Sequence, residues 1–410
     1  MTTTGAMQLP SLPSYPMARR CPLDPADELD VLRSERPVAK VRIWDGSEPW
    51  LVTGFDNVRA VLGDNRFSAD FRHPGYPGSS AAVRKSRETS PWFVNIDDPD
   101  HARFRAMLTG EFTVRRIENM RPAITCTVDE LIDTMLASGP PTNLIESFAL
   151  ALPSVVVCQM FGLPYADRVF WQTHSRALFD VRSSPEEGKR ADTELRNYLT
   201  DVLAQKERDP GDDLLSRLAT RFISTGKLSR TDAGAMALLL LVAGHETTAN
   251  MIGLGLVALL QHPEQLAEVR DGDAPTLLRA VEELLRYLTV VQTGRRRVAT
   301  EDVELDGVTI RAGEGIIASE PAANRDPGQF RHPDDLDIHR SDNPHLAFGY
   351  GVHRCLGQPL ARLELQIAYP ALLNRLPNLR LAVDESELTY RDSMIVYGVD
   401  TLPVTWDAAS

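Results

Sequence analysis

The spacing of apolar and polar residues divides the chain into a long helical centre and short strands near its two ends. Between about residues 97 and 290, apolar positions recur with the period of amphipathic helices. Alternating segments on either side predict strands, and two turns are expected at Asp45-Gly46 and Asp306-Gly307. The predicted strand segments are 41–44, 50–53, 303–310, 379–383 and 394–406. The pattern predicts a mainly α (α+β) fold, a helical bundle with small β-sheets.

One segment, 231–263, is apolar on nearly every side and predicts a single very long helix. Its uninterrupted apolar run begins at Ala233 and stops at Ala243, which is too short to cross a bilayer. A helix without a polar face is instead expected to run through the middle of a large protein. We therefore predict a buried central helix and no membrane span.

Irregular sequence marks three other features. Five prolines between residues 10 and 25 predict an extended N-terminal arm, residues 1–25. Asp56 is expected to cap a short helix that ends at Leu62. Residues 70–95 are rich in Gly, Pro, Ser and charge, and a loop of this length is usually functional or mobile. Because no repeat or linker divides the chain, we predict one domain over residues 1–410.

Composition narrows the functional classes. The net charge of −13 argues against nucleic-acid binding, which needs a basic surface. The four cysteines contain no Cys-x-x-Cys pair, so we expect neither a zinc site nor disulfides, and a reducing, cytoplasmic location. The N-terminal residues lack the apolar core of a signal peptide, so neither a leader nor a membrane anchor is expected. The expected protein is a monomer.

The strongest chemical signal is a glycine-rich segment, 345–364, that contains one cysteine directly before an amphipathic helix. Its glycines allow positive φ and a close approach of the backbone to another group. Cys355 would lie where amide N–H groups and the positive end of the helix favour a thiolate, which can ligate iron. The alternative is a buried, inert cysteine in a glycine-rich turn.

The same segment fills every fixed position of a longer pattern, Phe-x-x-Gly-x-(Arg/His)-x-Cys-x-Gly, with Phe348, Gly351, His353, Cys355 and Gly357. In this the chain resembles the haem-thiolate enzymes, the cytochromes P450, over about residues 40–405. The resemblance implies a P450 fold around haem b, with Cys355 as the proximal iron ligand. Further haem contacts would come from Phe348, Gly349, His353 and Gly357.

The middle of the predicted long helix carries the sequence AGHETT, residues 243–248. A threonine hydroxyl can bond to the carbonyl four residues earlier and bend the helix, which leaves room for a small molecule. A tolerated polar patch is the alternative. The segment is similar to the P450 oxygen-binding groove, which implies that Ala243 and Gly244 make space for dioxygen. By the same match, Glu246 and Thr247 would relay protons, and the side chain of His245 would face away from the pocket.

Haem carries two carboxylates, which need cationic or hydrogen-bonding partners when buried. His101 and Arg105 are four residues apart and share a helical face. By position in the family pattern, Arg297 and His353 complete the implied set of four. Arg295 is expected to be a solvated surface charge instead. Behind the haem, the family's structural Glu-x-x-Arg element and its third member would be Glu283, Arg286 and Arg340.

Family position also implies the walls of the substrate pocket. They would comprise Leu239, Val242, Val290, Val291, Ile395 and Val396, with the 70–95 loop and the helices near 165–200. The six named residues are aliphatic, so the expected substrate is an apolar small molecule of medium to large size, such as a macrolide, statin, steroid or terpenoid.

The implied reaction inserts one oxygen atom of dioxygen into a substrate C–H bond. Electrons would come from a ferredoxin with its NAD(P)H-dependent reductase, docked near Arg354 and Arg362. Two alternatives are open at this point. One is a peroxygenase that uses hydrogen peroxide, and the other is a haem sensor or carrier, which would need neither Glu246 nor Thr247.

Overall fold

The computed structural model describes residue 10, residues 12–87 and residues 92–407, and most of these residues belong to helices packed around one long central helix. The α-helices in chain order are α1 Asp27–Glu35, α2 Phe55–Gly63, α3 Ala81–Arg87, α4 Asp100–Thr109, α5 Val114–Glu118, α6 Arg121–Ser138, α7 Ala151–Phe161, α8 Arg168–Phe179, α9 Pro185–Arg208, α10 Leu214–Leu218, α11 Arg230–Leu260, α12 Pro263–Asp271, α13 Ala274–Leu288, α14 Glu320–Ala323 and α15 Gln358–Arg375. The strands are β1 Val38–Lys40, β2 Trp50–Val52, β3 Phe67–Ser68, β4 Thr142–Asn143, β5 Arg295–Ala299, β6 Val303–Leu305, β7 Val308–Ile310, β8 Gly315–Ala318, β9 Arg380–Leu381 and β10 Pro403–Thr405.

The central helix is α11, whose apolar residues lie on all sides. Its N-terminus is capped by Ser229, whose hydroxyl accepts a hydrogen bond from the Asp232 amide. It packs against α7, α9, α13 and α15. By length and composition α11 could span a membrane, but 78% of its most apolar window is buried inside the fold. The prediction of a buried central helix is confirmed.

Three small sheets flank the helices. The largest has five strands in the order β1-β2-β8-β5-β3, and β2 and β8 are parallel within it. The second joins β4, β10 and β9, and the third is the β6–β7 hairpin. That hairpin turns as predicted, at Asp306 and Gly307, with φ angles of 51° and 74°. The mainly α fold with small sheets is therefore confirmed.

Several strand boundaries differ from the sequence predictions. The first hairpin pairs Val38 with Val52, so its first strand begins three residues before the predicted segment 41–44. In the segment 394–406 only β10 is a regular strand, because Met394, Val396 and Val399 make single bridges to three different partners. Strands β5 and β8 were not predicted, since consecutive arginines hide the alternation in one and the other is apolar throughout.

The prediction that Asp56 caps a helix is wrong. Helix α2 begins at Phe55 after Gly54, and no side chain of its own segment caps it. The Phe55 amide donates instead to Asp326 Oδ2 at 2.8 Å, a carboxylate 271 residues away. The predicted 70–95 loop is also more regular than expected, because it contains α3 and a short 3-10 helix, Phe93–Asn95, while residues 88–91 lie outside the described residues.

Candidate active site

A cavity of about 320 Å³ lies between α11 and the segment that precedes α15. Aromatic and aliphatic side chains form most of its wall. Five of the six aliphatic residues predicted to line the pocket do so, namely Leu239, Val290, Val291, Ile395 and Val396. The cavity is thus bounded by α11 on one side and by the cysteine-containing loop on the other.

The cysteine loop is a tight turn held by its own backbone. The Cys355 amide donates to Phe348 O at 2.9 Å, and Gly349 and Gly351 both have φ near 70°. A Cβ at Gly351 would lie 2.4 Å from Leu62 O, so only glycine fits there. The loop places Cys355 on the cavity wall, two residues before Gly357, which precedes the first turn of α15.

The environment of the Cys355 thiol is buried but cationic. Burial raises its pKa, while Arg295, the Gly357 amide and Arg105 act to lower it. A thiolate here would therefore need further positive charge, and a bound metal ion supplies it, since a coordinating thiol is deprotonated outright. The site has the character of a metal-ligand position.

On the opposite wall, α11 presents Leu239, Ala243 and Thr247, which lie four residues apart on one face. The Thr247 hydroxyl donates to Ala243 O at 2.7 Å, as the sequence suggested for this part of the helix. A Cβ at Gly244 would lie 3.1 Å from Val157 Cγ2, so a larger residue would crowd this contact. Ala243 and Gly244 both line the cavity.

Glu246 lies beside the cavity and is not part of its wall. Its Oε2 accepts a hydrogen bond from Arg391 Nη1 at 3.0 Å, and both side chains are almost completely buried. Arg391 Nε in turn donates to Asp400 Oδ1 at 3.2 Å, and that carboxylate is half exposed. A chain of charged groups therefore leads from the surface to the acid of α11.

A cluster of imidazoles and arginines lies at one edge of the cavity. The rings of His101 and His353 are 4.0 Å apart between centroids. Within the described residues, His101 Nε2 and His353 Nδ1 are buried without a hydrogen-bond partner. Burial, followed by the positive charges of Arg297, His101 and Arg105, lowers the pKa of His353 to about 2. Such a concentration of donors without an acceptor is suited to a buried anion.

Sequence comparison identifies the family. The family model described as Cytochrome P450 matches residues 168–387. The chain is 48% identical over 409 residues to cytochrome P450-SU2 of Streptomyces griseolus, a match that covers 99% of this chain and all of that protein. The chain belongs to the cytochrome P450 family.

Solved structures agree with this assignment. The crystal structure of GfsF, a P450 of Streptomyces halstedii, is 49% identical, has a TM-score of 0.89 and covers 96% of this P450 and 100% of that chain. The mycinamicin VIII C21 methyl hydroxylase MycCI of Micromonospora griseorubida, bound to mycinamicin VIII, is 37% identical with a TM-score of 0.91 over 96% of this P450 and 100% of that chain. The protein is a bacterial P450 monooxygenase.

The described residues fit the haem that the P450 family implies. Cys355 is a single soft ligand on the cavity wall, and the described residues contain no group of three or more His, Cys, Asp or Glu side chains that could hold a metal ion. The unpaired imidazole nitrogens and arginines at the cavity edge match the two carboxylates of a haem. Haem is thus compatible with both the donor set and the charge of the site.

The structural Glu-x-x-Arg element assembles as predicted in this P450. Glu283 and Arg286 form a fully buried ion pair with N–O distances of 2.8 Å. Arg340 Nε donates to Glu283 Oε2 at 3.1 Å. Arg286 also donates to three main-chain carbonyls, those of Asn324, Pro333 and Asp335, and so ties α13 to the segment that leads into the cysteine loop.

Two sequence predictions about this P450 need correction. Val242 does not line the cavity but is fully buried in the core, because successive helix residues are rotated by roughly 100° and Val242 shares the face of Glu246. Arg295 is not simply solvated, since it lines the cavity and its Nε donates to the buried Glu320 carboxylate at 2.8 Å. Arg362 makes a double hydrogen bond to Glu282 and stacks on Phe348, and its contact with ferredoxin stays a prediction.

The helices near 165–200 contribute less than predicted, with Phe179 alone from that range on the cavity wall among the described residues. Their place is taken by Val157, Met160 and Phe161 of α7, which sequence reasoning missed. The loop prediction was better, because Tyr76, Ser79 and Trp92–Asn95 of the 70–95 segment reach the cavity. Arg391 was also missed, and no local signal marks it.

Proposed function

We propose that this P450 is a haem-thiolate monooxygenase in which Cys355 ligates haem b and a medium-to-large apolar molecule is hydroxylated with dioxygen. The observation that carries the proposal is the cavity itself, with Cys355 on one wall and the Ala243–Thr247 segment of α11 on the other. When bound, haem supplies the redox chemistry by which substrate, dioxygen, two electrons and two protons yield hydroxylated product and water.

The residues that would hold the haem fall into two groups. Cys355 provides the thiolate, and Phe348, Gly349 and Gly357 form the turn around it. His101, Arg105, Arg297 and His353 would provide donors for the carboxylates. Arg295 also lines the cavity, but its Nε is paired with Glu320. Phe348 is held against Arg362, whose guanidinium carbon lies 4.5 Å from the ring centroid.

The residues that would handle protons are Glu246 and Thr247. Thr247 presents its hydroxyl at the cavity and donates it to Ala243 O, so its oxygen can still accept a hydrogen bond from water. Glu246 is held at Oε2 by Arg391, while Asp400 connects Arg391 to solvent. Glu246 would therefore pass protons to the Thr247 hydroxyl, while Arg391, whose guanidinium keeps its protons, would hold the carboxylate in position.

The walls favour an apolar substrate with some hydrogen-bonding capacity. Phe112, Phe161 and Phe179 add aromatic surface to the aliphatic residues, while Tyr76 and Asn95 place polar atoms at the rim. The side-chain oxygen of Asn95, Oδ1, is buried without a partner in the described structure and can accept a hydrogen bond. The relative MycCI has been crystallised bound to mycinamicin VIII, and we propose substrates of similar size and polarity here.

We further propose that the protein is a cytoplasmic monomer of one domain and receives its electrons from a ferredoxin and an NAD(P)H-dependent reductase. The largest of the core clusters contains residues from Leu23 to Trp406, which supports one folding unit. Exposed apolar and cationic residues on the cysteine loop support the docking of a small acidic electron carrier.

The deciding experiment is the carbon monoxide difference spectrum of the dithionite-reduced protein. A strongly red-shifted Soret band that is lost in Cys355→Ala is the expected result. The matched control is Cys158→Ala, since Cys158 is a buried cysteine of α7 away from the cavity wall, and it should keep the band. A histidine-type Soret band in the wild-type protein would contradict the thiolate assignment.

A further inference from the structure

His245 is a completely buried polar residue of α11 that the proposed mechanism does not use. Its Nδ1 lies 2.7 Å from Leu241 O, and a carbonyl can only accept, so Nδ1 carries the proton. In the neutral ring Nε2 is then a bare acceptor. Burial lowers the pKa of His245, which keeps the ring neutral. Nε2 has no hydrogen-bond partner among the described residues.

The atoms around Nε2 are complementary to one another. Trp171 of α8 is also completely buried, and its ring meets that of His245 at 71° with centroids 4.9 Å apart. The Trp171 indole N–H is a donor without an acceptor in the described part of the chain. Glu246 Oε1 lies 3.9 Å from His245 Nε2, too far for a direct hydrogen bond. Two acceptors and one donor therefore lie in the same buried region.

We propose that His245, Trp171 and Glu246 form a buried site for one water molecule, which makes His245 a positioning residue for the Glu246 carboxylate. Water would donate to Nε2 and to Oε1 and accept from the indole N–H. Three hydrogen bonds are the usual number for a buried water. A separation of 3.9 Å between two acceptors suits one bridging water, with each oxygen–acceptor distance at a normal length.

The consequence for Glu246 is that both oxygens are held. Oε2 is fixed by Arg391, and by Asn250 Nδ2 at a longer 3.4 Å, on the side that leads to the surface. Oε1 would be fixed by the water on the side of α8. His245 thereby sets the direction in which the carboxylate presents its free lone pairs. The inference rests on the proposed role of Glu246 in proton supply, but the water site can be tested separately.

Three substitutions of His245 separate hydrogen bonding from packing. In His245→Gln the side-chain oxygen can take the place of the Nε2 acceptor. In His245→Asn the amide can still reach Leu241 O, but the acceptor near Trp171 is lost. In His245→Phe the ring remains and both polar atoms are lost. If His245 served packing alone, His245→Phe would resemble the wild type most closely. If His245 holds the water, His245→Gln would resemble it most closely.

The measurement is NMR of the ¹⁵N-labelled holoprotein in its diamagnetic ferrous carbon monoxide form. The chain has five tryptophans, and Trp171→Phe assigns the relevant indole resonance. We expect cross-relaxation between the Trp171 N–H and a long-lived water in wild type and His245→Gln, and its loss in His245→Asn and His245→Phe. The infrared carboxylate band that Glu246→Gln removes should shift in Asn and Phe but not in Gln.

Three results would overturn the proposal: no water contact at Trp171 in the wild type, a doubly protonated His245 ring at pH 7, or a His245→Phe variant that matches the wild type in both spectra. None of these depends on the Cys355 assignment. Absence of the thiolate Soret band from the wild-type protein with an intact water site would refute the proposed function alone, and a wild-type thiolate band without the water site would refute this inference alone.

Discussion

Arg391 Nη1 lies 3.0 Å from Glu246 Oε2, and this ion pair joins two side chains that are each 4% exposed and 145 residues apart in sequence. It links the segment near the C-terminus to the central helix. Because Arg391 also contacts the exposed Asp400, the buried acid is coupled to the surface through one guanidinium group. The pair therefore anchors the segment around Arg391 to the carboxylate to which we assign proton supply.

Removing Arg391 alone should be strongly destabilising, because it leaves the Glu246 charge buried without its main partner. We expect Arg391→Met to lower the free energy of unfolding by about 3–5 kcal/mol. Urea denaturation monitored by circular dichroism measures this change. The double variant Arg391→Met with Glu246→Gln should recover most of the loss, since no unpaired charge remains.

The matched control is Asp400→Asn, which removes the exposed partner only. A half-exposed ion pair contributes less than about 1 kcal/mol. If the double variant were as unstable as Arg391→Met, the loss would come from packing of the arginine side chain and the ion-pair account would fail.

This ion pair also illustrates what the sequence could not reveal. Cys355 and its loop were predicted because the signal is local, a run of glycines and one cysteine before a helix. Arg391 carries no such signal, since its role is defined by a residue 145 positions away. The cap of α2 by Asp326 is a second example, because nothing in the sequence around Phe55 points to a carboxylate 271 residues away.

The errors within the site concern the direction in which single side chains point from a helix or a strand. Leu239 lines the cavity and Val242 does not, because three residues rotate the side chain by roughly 300° and not by a full turn. Arg295 was assigned to solvent because three consecutive arginines look like a surface charge run. The structure places them on β5, where the pairing of Arg295 with Ala318 fixes the strand beside the buried Glu320.

The arginines at the cavity edge should control haem retention. A hydrogen bond to a charged group contributes about 1.5–3 kcal/mol, so Arg297→Ala should release haem roughly 10- to 150-fold faster. Transfer of haem to excess apomyoglobin, followed at the Soret band, measures the rate. The control is Arg311→Ala, because Arg311 is two-thirds exposed and pairs with Asp302 on the surface. Equal rates in both variants would remove Arg297 from the haem site.

Acid sensitivity should arise in part from Glu282. Burial raises the pKa of Glu282, but hydrogen bonds from Arg362 and His345 outweigh burial and bring it to about 2, below the usual 4.5. Because the folded-state pKa is the lower one, the stabilisation is complete well above pH 4.5 and is lost as the pH falls towards 2.

When the pH is lowered from 7 to 4, the free energy of unfolding of the wild type should fall by at most about 0.8 kcal/mol more than that of Glu282→Gln, whose side chain cannot titrate. Urea denaturation at the two pH values gives the difference. If the free energy of unfolding of Glu282→Gln depended on pH as that of the wild type does, Glu282 would be excluded as a source of the acid sensitivity. Since Arg362 stacks on Phe348, the Soret band should report the same transition in the holoprotein.

Electron transfer from ferredoxin should depend on the exposed surface of the cysteine loop. Tyr350 and Val352 are 39% and 47% exposed, Arg354 is exposed, and Arg59 stacks on Tyr350 at 4.9 Å. In a chain with a net charge of −13 this local positive charge is suited to steer an acidic partner. We expect Arg59→Glu with Arg354→Glu to slow reduction by ferredoxin about tenfold at low salt.

The same double variant should be reduced by dithionite at the wild-type rate, because dithionite needs no docking surface. Arg208→Glu, at the exposed end of α9, is the matched charge reversal and should leave the ferredoxin rate unchanged. The effect of the double variant should shrink as salt is raised, since exposed charges are screened within about 8 Å at physiological ionic strength. A ferredoxin rate that stays at the wild-type value in low salt would place the docking surface on another face of the protein.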